Sequence, residues 1–315
     1  MTLSQVPAAQ LASRLKTSGL HIRTGPFIVH LQSKLRQILT GVQLLYQDFP
    51  LDTDEFADFH IRMEQPRNLH GWYRPQVTCY LNDESLFAPL PIDHAFAMFE
   101  SCLNWAVFTN IYHYLIIHAA AVERNGYAAI LTAPPGAGKS TLCAALVNHG
   151  WRLLTDEMTI IAPQAHAILP LARPISLKNQ SIEVIQKIAP QAVFGPAIHN
   201  TMKGKIAYMR PPRESALRMH ERAVPAWLIF PRYEADQPLT VNPLGKAQTF
   251  ARIPSGLVNY AVLGALGFQL LTGLIDQTDG YAMSYGNLDE AMSWLEQLRP
   301  PQIAVELMEA NASGT

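Results

Sequence analysis

The period of the apolar positions changes several times along the first part of the chain. "LHIRTGPFIVHLQS" (Leu20 to Ser33) reads as strand interrupted at Gly25-Pro26, and "LRQILTGVQLLYQDF" (Leu35 to Phe49) has helical spacing. "ADFHIRMEQ" (Ala57 to Gln65) and "QVTCYLN" (Gln76 to Asn82) alternate apolar and polar residues, as half-buried strands do. "DHAFAMFESCLNWAVFTNIYHY" (Asp93 to Tyr114) predicts one long, mostly apolar helix with Asp93 at its N-cap. This mixture predicts a smaller N-terminal α+β domain over residues 1–91. The Asp93 helix would bridge it to a second domain over residues 92–315.

The second domain opens on two apolar runs, "HAAAVER" and "YAAILTA", either side of Asn125-Gly126. Such a pair between apolar runs predicts a two-residue hairpin, because both turn positions need positive φ. Counting outward from the turn pairs Arg124 with Tyr127, Val122 with Ala129, and His118 with Ala133. A short helix follows from Lys139 to about His149, closed by Gly150. "WRLLTDEMTII" (Trp151 to Ile161) predicts the next strand. Strand, helix, strand is a crossover unit, so both strands end on one edge of the sheet, where ligands bind in α/β folds. Beyond it the pattern predicts a proline-rich passage (Pro163 to Pro174) and a helix near Asn179 to Ala189. Next come loop and strand in "HNTMKGKIAYMRPPR" and a strand in "PAWLIFPRY". Two closing helices are predicted at about Pro254 to Ile275 and Leu288 to Leu298.

Composition narrows the function classes. The chain of 315 residues is 49% hydrophobic and 16% charged, which describes a globular protein. Its formal net charge of −1 implies no basic face, so nucleic acid is not the expected partner. Cys79, Cys102 and Cys143 lie far apart in apolar runs with no metal-binding spacing, and are expected as buried, reduced thiols. The N-terminus lacks a basic start followed by an apolar stretch. The longest apolar run, Ala261 to Ile275, is too short and glycine-broken to span a bilayer. No membrane partner and a cytoplasmic location are therefore expected.

Chemistry concentrates in "APPGAGKS" (Ala133 to Ser140). With a strand before it and a helix after it, this has the context of the phosphate-cradling pattern G-x-x-x-x-G-K-[ST], with Ala133 in place of the first glycine. Backbone N–H groups over Pro135, Gly136, Ala137, Gly138, Lys139, Ser140 and Thr141 are the expected nucleotide contacts, helped by the helix N-terminus. Pro135 itself has no N–H and would stiffen the entry. Lys139 would reach the β- and γ-phosphates, and the Ser140 hydroxyl would bind Mg²⁺. Ala133 fits only with negative φ. Asp156 and Glu157 follow on the next strand. Strand alternation lets one of them face the nucleotide, and Asp156 is the choice, as metal ligand or as acceptor of a hydroxyl proton. His118 joins them through the hairpin register. Lys203, Lys205, Arg210 and Arg213 offer further cations for phosphate, although each serves equally as a solvated charge.

His118, the Asn-Gly hairpin, "GAGKS", the short helix and "HGWRLLTDE" together resemble HPr kinase/phosphorylase, a bacterial enzyme that phosphorylates a serine of a small phosphocarrier protein. "RPISLKNQSIEVI", "TMKGKIAY", "LIFPRYEA" and "LVNYAVLGALGF" look like its divergent branch of HPr kinase-related kinases, some of which phosphorylate peptide serines. The resemblance implies an α/β fold. Its mixed sheet would carry a phosphate-binding loop, like that of HPr kinase and phosphoenolpyruvate carboxykinase. It implies His118 as the active-site histidine, Lys139 on phosphate, Ser140 on Mg²⁺ and Asp156 as general base. It also implies homo-oligomers. The sequence departs from the family pattern at Glu157, where an aspartate is usual, and at Ala133 and Ala119, where glycines are usual.

The expectation is an ATP- and Mg²⁺-dependent kinase acting on a serine, or second a threonine, of a protein or peptide. A nucleotide-binding switch with little turnover and a small-molecule kinase stand as the alternatives.

Overall fold

The computed structural model describes residues 1–52, 56–66, 73–163, 167–253 and 256–313. It is an α/β structure with mixed sheets. In the N-terminal part, α1 (Ala8–Lys16) precedes β1 (Leu20–Thr24) and β2 (Phe27–Ser33). Then come α2 (Arg36–Leu45), β3 (Phe59–Glu64), β4 (Gln76–Leu81), β5 (Glu84–Ser85) and β6 (Leu90–Pro91). The Gly25-Pro26 interruption is a hairpin turn, and β2 pairs β3 in parallel while the other pairs are antiparallel. α3 (Ala95–Asn110) follows a single 3₁₀ turn at Ile92–His94, so Asp93 lies inside that turn and is not the N-cap. Phe96, Met98, Phe99, Leu103 and Ala106 of α3 share one core with α1, α2 and β1–β4. Ile116, Ile160, Leu171 and Ile206 join the same core from later in the chain, so apolar packing is continuous between the two parts.

Cys79 on β4 and Cys102 on α3 form a disulfide, which corrects the expectation of three reduced thiols; Cys143 alone is free. The two cysteines lie 23 residues apart, and only the packing of α3 on the sheet brings them together.

The later part of the chain contributes β7 (Leu115–Ile117), β8 (Ala120–Arg124), β9 (Tyr127–Leu131), α4 (Lys139–Asn148), β10 (Arg152–Thr155), β11 (Thr159–Ala162), β12 (Ala167–Leu169) and β13 (Ile175–Lys178). Next are α5 (Gln180–Ile188), β14 (Ile198–Thr201), β15 (Gly204–Met209), α6 (Arg213–Leu217), β16 (Val224–Tyr233), β17 (Thr240–Leu244) and α7 (Lys246–Arg252). The chain closes with α8 (Tyr260–Leu263), α9 (Ala265–Gln277), β18 (Asp279–Tyr285), α10 (Leu288–Glu296) and α11 (Gln302–Ser313). The helix expected from Pro254 to Ile275 is thus two helices broken at Gly264, with its expected start outside the described residues. Residues 164–166, near the start of the expected proline-rich passage, also lie outside them. The chain does not close at Leu298, because α11 follows.

The central sheet runs β10-β8-β9-β16-β18-β17. Asn125 (φ 55°) and Gly126 (φ 85°) make the expected hairpin turn, and the ladder pairs Arg124 with Tyr127 and Val122 with Ala129. β10 pairs β8, not β9, but because both ladders are antiparallel β9 and β10 run the same way. Strand alternation divides the sheet residues between two cores. Val122, Ala129 and Leu131 pack with α4 and α10, while Ala121, Ala128 and Ile130 pack with α9. Burial on both faces explains why these strands read as unbroken apolar runs.

Candidate functional site

The glycine-rich loop leaves the C-terminal end of β9, an interior strand of the central sheet. Gly136 (φ +87°) and Gly138 (φ +90°) both take left-handed conformations, which side chains disfavour. A Cβ on Gly138 would lie 2.9 Å from Tyr285 Oη and 3.0 Å from Tyr233 Cβ, whereas one on Gly136 would meet nothing within 4 Å. The loop is therefore seated on the two tyrosines at Gly138 and open at Gly136. Tyr233 N–H donates to the Ala137 carbonyl at 3.0 Å, which fastens β16 to the loop. Ala133 has no positive φ, so it stands in the glycine position without strain. Lys139, Ser140 and Thr141 open α4 on its N-terminal turn.

Asp156 and Glu157 are not on a strand. The run Trp151 to Ile161, expected as one strand, is two strands in different sheets, with a corner after Thr155. Thr155 Oγ1 accepts from the N–H of Glu157 (3.3 Å) and of Met158 (3.1 Å), a side-chain turn that competes with the ladder. Alternation therefore does not separate the two acids, and both line one cavity.

Asp156 is buried. Its Oδ2 accepts from the Ser176 N–H at 3.2 Å, and its Oδ1 has no partner. Burial pushes its carboxyl up to about 6, with a contribution from Glu157; Lys139, Ser140 and the Ser176 amide pull the other way. Burial would raise Glu157 too, but His118, Lys178, Arg173 and Lys203 hold it below its ordinary value. Burial and the Lys139 charge lower His118, and burial lowers Lys139 against the attraction of Asp156 and Glu157. These groups form one electrostatic cluster.

Several expected residues therefore meet. His118, Lys139, Ser140 and Asp156 are coupled, and Lys203 acts on Glu157. His118 arrives by a different route from the one expected. The hairpin ladder ends at Ala120–Leu131, and the His118 N–H donates to Gly256, so His118 is not paired with Ala133. Lys205 pairs with Glu183 at 3.9 Å and Arg213 with Asp48 at 3.8 Å; neither they nor Arg210 line the cavity.

Sequence reasoning missed Lys178, Ser176, Asn104, Glu100 and Arg173. β13 alternates strictly, sending Ile175 and Leu177 into the core and Ser176 and Lys178 to the cavity. That alternation was available in "ISLK". Asn104 Nδ2 donates to Glu157 Oε2 at 2.8 Å, and Arg173 bridges Asn104 Oδ1 and Glu100 Oε2. The Tyr46 hydroxyl donates to Glu100 Oε1 at 2.5 Å. This chain of polar contacts ties α2 and α3 to the acid pair, and burial lifts Glu100 to about 7.

The cavity has a volume of about 530 Å³ and lies between α3, the Asp156 corner and the three-stranded sheet β13-β15-β14. The glycine-rich loop is not part of its wall. Asp156 belongs to that wall and also interacts with Lys139 and Ser140 at the start of α4.

A family model described as SynChlorMet cassette protein ScmC matches residues 91–182. This stretch is similar to ScmC. It runs from the end of β6 into α5 and includes α3, the glycine-rich loop and the acid pair, but it is less than a third of the chain. The match corrects the resemblance to HPr kinase/phosphorylase and its related kinases, because the family model that fits is ScmC and not an HPr kinase family. No curated protein matches the chain. Among the described residues no helix is long and apolar enough to cross a membrane, and no group of three or more potential ligands could hold a metal ion.

Proposed function

We propose that this chain is an ATP-dependent kinase that transfers the γ-phosphate to a serine hydroxyl, or second a threonine hydroxyl, of a polypeptide. The observation that carries the reading is Asp156: a buried carboxyl near 6 with one oxygen unpartnered, which lines the cavity and interacts with Lys139 and Ser140 of the glycine-rich loop. A general base works best when its pKa lies close to the working pH, and burial beside Glu157 brings Asp156 there.

In this reading the loop is a phosphate-binding loop. Gly136 leaves room for backbone to approach phosphate, and the α4 N-terminus adds its dipole. Lys139 offsets charge on the transferring group, with Lys178 and His118 in the same electrostatic cluster. The Ser140 hydroxyl is an oxygen donor of the kind Mg²⁺ prefers, while the unpartnered Asp156 Oδ1 is left free to receive the hydroxyl proton. Mg²⁺ bound there would neutralise charge on the phosphates. Asp156 takes the hydroxyl proton as the acceptor oxygen bonds to phosphorus and the bond to the ADP oxygen breaks.

The test is incubation with γ-labelled ATP, Mg²⁺ and serine peptides. Wild type should label peptide, and Asp156→Asn should lose about 10²–10⁴ of that rate while still binding ATP. ATP binding by wild type with no transfer to any acceptor would leave a nucleotide switch. Label in small alcohols and not in peptide would make it a small-molecule kinase.

A further inference from the structure

The cavity walls are mostly apolar away from the acid pair. Met98, Leu171 and Ile206 line its interior, and Leu90 and Met202 stand exposed at its rim. Its charged residues nearly balance: Glu100, Asp156 and Glu157 against Arg173, Lys178 and Lys203. Most of these charges are already engaged with one another, so they leave little to select a charged ligand.

The apolar surface continues outside. Phe87, in the cavity wall, meets the Trp105 ring edge-on at 6.2 Å, and Trp105 meets Phe108 at 5.7 Å. Trp105 and Phe108 are large apolar side chains exposed to solvent on α3. A small metabolite would fill the cavity and leave this strip bare. An extended chain would use both, placing one side chain inside and the next residues along the aromatic strip.

We infer that this cavity and its aromatic lip are the docking site for the acceptor polypeptide, and that they select a serine flanked by large apolar side chains. The inference rests on the kinase reading for the role of Asp156, but the docking can be measured without transfer. Burying one such side chain is worth about 10-fold or more in affinity.

The probe is a fluorescent peptide with leucine or phenylalanine on each side of one serine, compared with the same peptide carrying glutamine or glutamate there. Binding is read by anisotropy on the full chain. Wild type should prefer the apolar peptide by about 10-fold or more. Ser101→Trp, at an exposed α3 position in the cavity wall, should weaken that peptide by a similar factor and leave the nucleotide-induced thermal shift unchanged. Met202→Glu, on a fully exposed rim residue, should act the same way, so misfolding does not account for a loss. Equal affinity for polar and apolar peptides, or no effect of either substitution, would overturn the docking site. Selective binding without label transfer would keep the site and remove the kinase reading. Transfer at equal rates to polar-flanked peptides or to small alcohols would remove the site.

Discussion

Asp156→Asn exchanges a buried carboxylate for a neutral amide of the same shape. The fold moves this carboxyl from 3.8 to about 6, so the ionised form is less favourable in the native state than in the unfolded chain. At about 1.4 kcal/mol per pKa unit, the penalty reaches about 3 kcal/mol when the group is fully ionised in both states. The native state holds the proton more tightly, so stability is highest below the unfolded value. It is lost as pH rises through the interval from 3.8 to about 6. At pH 7.5 the whole penalty applies; at pH 4.5 the native group is protonated and about one third of it, ~1 kcal/mol, remains. Asparagine keeps an oxygen for the Ser176 amide and carries no charge. The variant should melt higher than wild type at pH 7.5, by up to about 5 °C for a chain of 315 residues, and by about a third as much at pH 4.5. Scanning calorimetry at the two pH values reads both shifts. A lower or unchanged melting temperature at pH 7.5, or an equal gain at pH 4.5, would refute the burial argument. The same variant should lose phosphoryl transfer, so stability and activity move in opposite directions at one residue.

Lys139→Ala should abolish the thermal stabilisation produced by ATP and Mg²⁺; stabilisation that survives the change would remove this lysine from the nucleotide contacts. Gly138→Ala should cost more than Gly136→Ala, because both positions need left-handed backbone but only Gly138 has Tyr285 and Tyr233 against it. The backbone term alone is about 1–2 kcal/mol, so Gly136→Ala should lose roughly that in chemical denaturation and Gly138→Ala more; equal losses would contradict the seating of the loop. Titration of the unfolded, unreduced chain with a thiol reagent should return one thiol, Cys143, and three after reduction. Three thiols before reduction would remove the Cys79–Cys102 bond.

Local features of this molecule were legible in the sequence because short-range rules govern them. Asn125-Gly126 adopts the two positive φ values that its hairpin requires, and the register near the turn follows by counting. The helix that begins within "GAGKS" starts at Lys139 because the glycines before it take left-handed conformations that an α-helix does not allow. The reading failed where a side chain or a distant element intervened. Thr155 turns the backbone out of the ladder, and this puts Glu157 beside Asp156 where alternation would have parted them. His118 reaches the cluster from outside the hairpin, because its N–H bonds to Gly256 far along the chain. The sequence by itself determined the loop, the helix behind it and the acids that follow, since each depends on neighbours within a few residues. Only the tertiary structure decided that Cys79 meets Cys102, that Arg173 and Asn104 hold Glu157, and that α3 closes a cavity over Asp156. Those depend on packing between segments far apart in the chain, where burial and charge are set by whatever the fold brings near.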